Sequence, residues 1–214
     1  SLHDALPILR ETADVDFRLE GNPLNNYQLR SYDSQTPTSL GTDRIINIER
    51  VFLSGGESDN RIDASQAYIS VNFAGKGGSD TVIGGFYNDT LSGGEGNDTI
   101  DGGEGVDTLR ETADADFRVI GNRLESFDSN TGRLLGIDEI RNIERISLTA
   151  GESDNNLEAR DFDGNISFSG QGGDDRLISS SGNDNLSGGT GSDNIDGGEG
   201  IDTLRETGDV DFRL

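Results

Sequence analysis

The chain has 214 residues, of which 41 are acidic and 17 are basic, so its formal net charge is −24. This balance argues against a nucleic-acid partner or an anionic membrane surface and favours divalent cations. No apolar run approaches the roughly 18 residues that a membrane-spanning helix needs, and no cysteine is present. Low hydrophobicity with high charge usually indicates disorder. However, 31 glycines beside only 3 prolines indicate a turn-rich fold that needs a cation to neutralise its acids.

The first eight residues, SLHDALPI, resemble the translation of a widely used sequencing adapter. Repeat sequence begins directly afterwards, at Leu9. We therefore expect residues 1–8 to be a non-native scar, which is left out of the reasoning about the fold. The exclusion also covers His3, the only histidine. A short native leader is the alternative.

A long internal repeat organises the rest of the chain. LRETADVDFRLEGNPL begins at Leu9, LRETADADFRVIGNRL at Leu109 and LRETGDVDFRL at Leu204. The spacings of 100 and 95 residues differ by a five-residue insertion between Leu24 and Gly41. We predict β-strand zones at 9–74 and 111–169, glycine-rich blocks at 75–110 and 170–205, and a truncated third unit at 206–214. A longer parent protein is expected.

Alternating polar and apolar residues predict half-buried strands in the zones at 9–74 and 111–169. The apolar positions are Val15, Phe17, Leu19, Ile69, Val71 and Phe73 in the first zone, and Ala115, Phe117, Val119, Ile166 and Phe168 in the second. Around Ile46 and Arg141 the pattern is strand, glycine turn, short strand. The stretch that holds the insertion is predicted to be a turn-rich surface loop. No segment has a sustained 3.6-residue period, so no helix is predicted.

The two glycine-rich blocks consist of eight nonapeptides, four in each block. From Gly75 they are GKGGSDTVI, GGFYNDTLS, GGEGNDTID and GGEGVDTLR; from Gly170 they are GQGGDDRLI, SSSGNDNLS, GGTGSDNID and GGEGIDTLR. The glycines permit a tight turn, and the last three residues form a short strand with one inward side chain. The inward residues are Val82, Leu91, Ile100, Leu109, Leu177, Leu186, Ile195 and Leu204. The sixth position is always aspartate: Asp80, Asp89, Asp98, Asp107, Asp175, Asp184, Asp193 and Asp202.

This pattern points to a metal. One aliphatic side chain in nine residues buries little apolar surface, and aligned aspartates repel each other. Ca²⁺ accepts six to eight carboxylate and carbonyl oxygens, so it would remove the repulsion and cross-link the turns. The lack of cysteine and near-lack of histidine disfavour zinc, and Mg²⁺ demands a tighter octahedral geometry. We therefore predict calcium, with the eight aspartates as metal ligands.

At these residues the chain resembles the RTX (repeats-in-toxin) family, the haemolysin-type calcium-binding repeats, whose signature is this nonapeptide. The resemblance implies an all-β fold, a parallel β-roll or β-helix solenoid with Gly-rich calcium-binding turns and two nonapeptides per coil. Turns 18 residues apart should then stack. The expected pairs are Asp80 with Asp98, Asp89 with Asp107, Asp175 with Asp193, and Asp184 with Asp202. Type I secretion and an extracellular location are also implied.

Some repeats depart from the pattern. Lys76 and Gln171 replace the second glycine, Tyr87 replaces the fourth, and Ser179 and Ser180 replace the first two, which weakens the match in the outer repeats of each block.

Residues 55–63 (GGESDNRID) and 150–158 (AGESDNNLE) look like degenerate nonapeptides with Asn60 and Asn155 in place of aspartate. An amide is a weaker calcium ligand, so we expect coils without calcium that continue one solenoid. The alternative is two β-rolls separated by small β-domains.

Other signals are weak. Asp161, Asp163 and Asn165 faintly resemble an EF-hand loop, but the glutamate at position twelve is missing, so a surface turn is expected. Asp14 and Asp16 are paired carboxylates of the kind glycosidases use, but a solvated face is favoured. No HExxH, GxSxG or Walker pattern is present, and no enzyme activity is predicted. The alternatives are a fragment of a secreted polysaccharide lyase or epimerase, or an adhesin stalk, with a polysaccharide or cell-surface partner contacted through the parent protein.

Overall fold

The structure, a computed structural model, describes residues 8–22, 26–36 and 38–206. Residues 1–7 and 207–214, which hold most of the predicted scar and of the predicted third unit, lie outside this part. The described residues contain strands and turns and no helix. The chain forms two compact units: unit 1 is Ser1–Arg110 with Gly136–Glu144, and unit 2 is Glu111–Leu135 with Arg145–Leu214. The predicted zone boundaries stay predictions.

The strands are short, as the nonapeptide period requires. From the start of the chain to Arg110 and just beyond they are β1 Ile8–Thr12, β2 Asp16–Asn22, β3 Asn26–Tyr32, β4 Ser39–Ile46, β5 Arg50–Ser54, β6 Arg61–Gln66, β7 Ser70–Gly77, β8 Thr81–Ile83, β9 Thr90–Glu95, β10 Thr99–Asp101 and β11 Thr108–Thr112. The later strands are β12 Asp116–Ile120, β13 Arg123–Phe127, β14 Leu134–Arg141, β15 Arg145–Thr149, β16 Asn156–Arg160, β17 Asn165–Gly172, β18 Arg176–Ile178, β19 Ser181–Gly182, β20 Asn185–Thr190, β21 Asn194–Asp196, β22 Glu199–Gly200 and β23 Thr203–Leu204.

Unit 1 is a stack of coils with two parallel sheets. One sheet has the order β1-β5-β7-β9-β11, and the other runs from β14 through β10, β8 and β6 to β2. Successive coils contribute one strand to each sheet, and the pairing keeps equivalent residues together, as in Val82 opposite Ile100. This is the predicted all-β, mostly parallel β-roll architecture, and the prediction is confirmed.

Unit 2 repeats the arrangement. Its parallel strands are ordered β15-β17-β20-β23 in one sheet and β21-β18-β16-β12 in the other. The short strands β19 and β22 form a further parallel pair.

The degenerate nonapeptides belong to these stacks. In unit 1, β6 pairs with β8 and places Ile62 opposite Val82. In unit 2, β16 pairs with β18 and places Leu157 opposite Leu177. Within each unit, therefore, the degenerate coil continues the stack of its glycine-rich block.

The aliphatic residues predicted to point inward form the core of the stacks, with two corrections. Six of them are at most 2% exposed: Val82, Leu91, Ile100, Leu109, Leu177 and Leu186. Ile195 is only half-buried and Leu204 is 54% exposed. Among the described strands, none stacks on the outer side of β21 or β23, which accounts for the exposure of these two side chains in the described part of the chain.

The prediction of a surface loop at the insertion was wrong. Residues there form β3 and β4, which continue from β2 as an antiparallel sheet. Tyr27 and Leu29 are buried on β3, and the Tyr27 hydroxyl donates a hydrogen bond of 2.8 Å to the Tyr68 carbonyl. The alternation of NYQLRSY is a strand pattern, and its alternate residues Tyr27 and Leu29 are the ones that are buried.

At Gly94, the second position of its turn, the neighbouring coil leaves no room for a side chain. Gly94 has a φ of 98°, and a Cβ there would lie 2.1 Å from the Lys76 carbonyl oxygen of the preceding coil. Lys76 and Gln171 hold the same position in the first repeat of each block, with φ of 85° and 79°. These departures from the motif therefore preserve the turn.

We predict that Gly94→Ala destabilises the calcium-loaded protein more than Gly132→Ala. Gly132 also has positive φ (67°), but nothing lies within 4 Å of its would-be Cβ, so it reports the backbone strain alone. That strain is worth about 1–3 kcal/mol, and Gly94→Ala adds the steric clash. The measurement is the free energy of unfolding from denaturant titration in excess calcium. Equal losses in the two variants would contradict the coil-contact explanation.

Candidate metal centre

The aspartates at the sixth position connect successive coils. In each predicted pair, the backbone N–H of the earlier aspartate donates to Oδ1 of the aspartate 18 residues later. The N···O distances are 2.8 Å for Asp80 to Asp98, 2.7 Å for Asp89 to Asp107, 2.9 Å for Asp175 to Asp193 and 3.1 Å for Asp184 to Asp202. The stacking of turns 18 residues apart, which the family resemblance implies, is therefore observed.

These series of N–H to carboxylate hydrogen bonds, which we call aspartate ladders, continue past the nonapeptides. Before block 1, the N–H groups of Asn60 and Val71 donate to Asp80 and Asp89. After it, the N–H of Asp98 donates to Asp138 Oδ1 at 3.0 Å, and that of Asp107 donates to Glu144 Oε2 at 2.8 Å. In unit 2, the N–H groups of Asn155 and Ile166 start the two ladders.

Asp138 and Glu144 were missed in the sequence. They lie 40 and 37 residues after their donors, outside the 18-residue period. Their recurrence 95 residues earlier, as Asp43 and Glu49, is the signal that could have identified them.

A second ladder runs through the fifth position, which the motif leaves unspecified. Asn88 Oδ1 accepts the N–H of Val106, and Asn183 Oδ1 accepts that of Ile201. Asp174 accepts the N–H of Ser192 in the same way. Both ladders join the same coils, so each turn is fixed to the next by side chain to main chain hydrogen bonds.

The sixth-position carboxylates are buried, but their hydrogen bonds are incomplete. Asp80, Asp89, Asp98, Asp107, Asp175 and Asp184 are at most 2% exposed, whereas Asp193 is half-buried and Asp202 is exposed. In the described part of the chain, the second oxygen, Oδ2, is buried and has no hydrogen-bond partner in Asp80, Asp98, Asp107 and Asp175. A buried anionic oxygen without a partner is costly, so these atoms require a proton or a cation.

A main-chain carbonyl of another coil lies near the orphaned oxygens of Asp80, Asp107 and Asp175. A Cβ placed on Gly75 would be 2.1 Å from Asp80 Oδ2 and 2.5 Å from the Gly93 carbonyl oxygen of the next coil. The same arrangement recurs at Gly170, with Asp175 Oδ2 at 2.0 Å and the Gly188 carbonyl oxygen at 2.6 Å. Carboxylate and carbonyl oxygens are thus brought together across the coil boundary, and only glycine leaves room for them.

This donor set fits a hard, oxygen-binding cation. Between residues 8 and 206, apart from the gaps at 23–25 and 37, no three acidic or imidazole side chains converge as metal ligands. A metal at the turns would therefore need carbonyl or water oxygens in addition to carboxylates, and Ca²⁺ accepts all three. The orphaned carboxylate oxygens would supply the negative charge.

Burial also changes the acidity of these carboxylates. It raises the pKa of six aspartates above the ordinary value of 3.8, although hydrogen bonds from the neighbouring coil oppose the shift. The pKa is about 6 for Asp80, Asp89, Asp98 and Asp175, and about 7 for Asp107 and Asp138. Repulsion from a nearby aspartate adds to the effect of burial at Asp80, Asp107, Asp138 and Asp175.

The degenerate coils replace the carboxylate with a hydrogen-bonded amide. Asn60 Oδ1 accepts the N–H of Gly56, and its amide nitrogen donates to Asp14 Oδ1 at 3.4 Å. Ser58 donates to Asp14 through both its hydroxyl and its N–H, and these bonds hold the pKa of Asp14 below its usual value. Asn155, Ser153 and Asp114 repeat the arrangement.

In the paired carboxylates of the two zones, Asp14 and Asp114 are exposed and Asp16 and Asp116 are half-buried, and all four also accept main-chain N–H groups. Asp16 Oδ1 accepts the N–H of Arg61 at 2.7 Å, and Asp116 Oδ1 accepts that of Asn156 at 2.9 Å. The EF-hand-like residues lie in the turn between β16 and β17, where Asp161 has a φ of 54°, as expected for a surface turn.

Comparison with known families agrees with this geometry. Residues 75–109 and 169–204 match the family described as the RTX calcium-binding nonapeptide repeat (4 copies). These two segments are RTX calcium-binding repeats. The RTX blocks bind Ca²⁺, and the RTX repeat is a structural rather than a catalytic element. No curated protein matches the chain. The described residues include no helix of the length and apolarity that crossing a membrane requires.

We predict that the metal-free protein gains structure as the pH falls. A pKa that is higher in the folded state means that the folded chain binds more protons, so the free energy of unfolding rises as the pH falls through about 7 towards 3.8. Far-UV circular dichroism in metal-stripped buffer should show more β-structure at about pH 5 than at about pH 8. Asp138→Asn removes one of the shifted groups and should flatten the dependence. A β-signal that weakens on acidification would contradict the burial of these carboxylates.

Proposed function

We propose that this chain is a calcium-dependent structural module of a larger secreted protein, and that it has no catalytic role of its own. The observation that carries the proposal is the set of buried Oδ2 atoms without partners at Asp80, Asp98, Asp107 and Asp175. They occur in both RTX blocks, and Asp80 and Asp175 hold equivalent positions 95 residues apart.

The proposed ligands are the eight sixth-position aspartates together with turn carbonyls of adjacent coils. Asp80, Asp89, Asp98 and Asp107 would serve block 1; Asp175, Asp184, Asp193 and Asp202 would serve block 2. Bound Ca²⁺ supplies positive charge and oxygen coordination at these turns. Asp80, Asp98, Asp107 and Asp175 hold the register of the coils through Oδ1 and leave Oδ2 for the cation, so a single side chain serves both purposes. The Oδ2 atoms of Asp89 and Asp184 also accept a hydrogen bond, from the Gly85 N–H and the Ser179 hydroxyl.

Folding and calcium binding are coupled in this proposal. The chain carries a net charge of −24, and the carboxylates of successive coils lie directly above one another. Without a cation or a proton at the turns, stacking brings these charges into a low-dielectric interior, which opposes folding. Extracellular calcium modules typically bind at about 10⁻⁴–10⁻³ M, so the module would fold where calcium is abundant. This favours an extracellular location and, by family, type I secretion.

A catalytic role is not favoured. The carboxylate pairs that resembled a glycosidase site, Asp14 with Asp16 and Asp114 with Asp116, accept main-chain hydrogen bonds from the neighbouring coil. Their oxygens are used to attach that coil, so neither pair is arranged as a free acid and base. Any polysaccharide or cell-surface partner would be contacted through the parent protein.

Asp98→Asn tests the proposal because asparagine keeps an oxygen for the N–H of Asp80 and removes the charge. We predict that the calcium midpoint of β-structure formation, followed by circular dichroism, rises about tenfold, which is the loss of roughly 1.4 kcal/mol of binding free energy. Isothermal titration calorimetry should show fewer or weaker calcium sites.

The matched control is Asp163→Asn, the same change at an exposed carboxylate in the EF-hand-like turn. It should leave the calcium midpoint unchanged. Full β-structure in a chelator, with no heat on adding calcium to the millimolar range, would refute the coupling of folding to calcium binding. An equal shift of the calcium midpoint in both variants would refute the assignment of the sixth-position aspartates as calcium ligands.

A further inference from the structure

Segment 136–144, which reads GIDEIRNIE, covers the end of block 1 although it lies outside the RTX repeats. Its strand β14 pairs in parallel with β10, and Ile140, which lies opposite Ile100, is buried. The Glu139 N–H donates a hydrogen bond of 2.8 Å to the Asp98 carbonyl. These main-chain contacts fix the register, so the side chains and carbonyl groups of the segment lie at defined positions beside the last two turns of block 1.

At one aspartate ladder, the segment brings a second buried carboxylate to the end of the block. Asp98 and Asp138 are 2% and 5% exposed, and Oδ1 of Asp138 accepts the Asp98 N–H at 3.0 Å. The two side chains lie within hydrogen-bonding range of each other, so they repel each other when both are ionised. Within the described part of the chain, Asp98 Oδ2 is buried and has no hydrogen-bond partner. Docking of the segment therefore has an electrostatic cost that a cation between the two carboxylates would remove.

At the other ladder, the segment supplies a main-chain carbonyl group. A Cβ placed on Gly102 would be 2.6 Å from Asp107 Oδ2 and 2.0 Å from the Asn142 carbonyl oxygen. Inside block 1, a glycine carbonyl of the next coil lies near Asp80 Oδ2 in the same way. Asp107 Oδ2 is also buried, with no hydrogen-bond partner among the described residues. Asn142 therefore takes the place that a glycine of a further nonapeptide would hold.

We propose that Asp138 and the Asn142 carbonyl are calcium ligands, so that segment 136–144 completes two calcium sites at the end of block 1, one with Asp98 and one with Asp107. The proposal rests on the proposed function, because it requires the turns of block 1 to bind calcium through the sixth-position aspartates. Neither new ligand lies within residues 75–109 or 169–204, which match the RTX repeat, so the nonapeptide pattern does not assign them. Carboxylate and carbonyl oxygens are ligands that Ca²⁺ accepts, and water can fill its remaining positions.

Calcium would then control the docking of segment 136–144. β14 and β10 share only three residue pairs, so the main-chain pairing between them is short. An ion held by both Asp98 and Asp138 would link the segment to block 1 and would offset the repulsion between these carboxylates. We therefore expect the segment to dock on block 1 when this ion is bound and to detach when it is absent.

Asp138→Asn tests the site that Asp98 and Asp138 would share. Asparagine keeps an oxygen to accept the Asp98 N–H and removes the charge, so a purely structural role of Asp138 would leave calcium binding unchanged. Circular dichroism of the full 214-residue chain in excess calcium first establishes that each variant is folded. Equilibrium dialysis at about 1 mM free calcium should then find one bound ion fewer per chain than in the wild type. Asp98→Asn combined with Asp138→Asn should bind as many ions as Asp98→Asn alone, because both side chains would hold the same ion.

Glu139→Gln is the matched control. Glu139 follows Asp138 on the same strand, but its side chain is exposed and pairs with Arg141, so this variant should bind as many ions as the wild type. Hydrogen exchange in calcium measures the docking itself. Asp138→Asn should speed exchange in segment 136–144 and leave residues 75–92 protected, whereas Glu139→Gln should change neither.

The wild type provides a measurement that does not depend on the folding of a variant. Anomalous diffraction from crystals grown in excess calcium should place an ion about 2.3–2.6 Å from an Asp138 carboxylate oxygen. No ion at Asp138, or an unchanged ion count in Asp138→Asn, would overturn this inference and leave the proposed function standing if the wild type binds calcium elsewhere in block 1. A loss of ions in Glu139→Gln equal to that in Asp138→Asn would also overturn it. A folded wild type that binds no calcium would overturn both proposals.

Discussion

The stack depends on one interaction, the acceptance of a main-chain N–H by a buried carboxylate of the next coil. Asp80, Asp98 and their equivalents each use Oδ1 in this way, which fixes the register between coils that share little apolar surface. The same geometry buries Oδ2, and a buried anionic oxygen without a partner is unfavourable. The interaction that aligns the coils therefore makes them unstable unless a proton or cation is present. For this reason, we infer that the stability of the fold depends on the composition of the surrounding solution.

The degenerate coils show how the same architecture forms without that dependence. Asn60 makes two hydrogen bonds through its amide, one to its own turn and one to Asp14, so its side chain is satisfied without a charge. The neighbouring hairpin adds Phe17, Leu19 and Tyr27 to the core, which is more apolar burial than a nonapeptide coil obtains. We therefore expect these parts of each unit to need less cation than the RTX blocks, and to offer a surface on which the first calcium-dependent coil can stack.

The sequence predicted the repeating part of this fold well, because a nine-residue period encodes both the inward aliphatic position and the turn. The pairing of Asp89 with Asp107 needed the family resemblance as well, because the resemblance implies two nonapeptides per coil and the nine-residue period alone does not. The sequence did not reveal Asp138 and Glu144, because the residues between them and block 1 form strands of a different period. It also could not distinguish Leu204 from Leu109, since the burial of a side chain in a solenoid depends on the next coil rather than on its own repeat.

The segment 136–144 shows what the end of a calcium-binding block requires. A parallel stack that ends on an aspartate ladder leaves N–H donors and a strand edge exposed, and such an edge can pair with any similar strand. Residues 136–144 end both ladders of block 1 at once, because Asp138 and Glu144 accept the last N–H groups of the two turn lines. The two acceptors lie in different environments. Asp138 is 5% exposed, and burial together with repulsion from Asp98 raises its pKa to about 7, whereas Glu144 is exposed. Since interactions in such arrays are mainly between neighbours, the repulsion that a cation must offset in unit 1 extends beyond block 1 to Asp138 on one ladder and ends at the exposed Glu144 on the other.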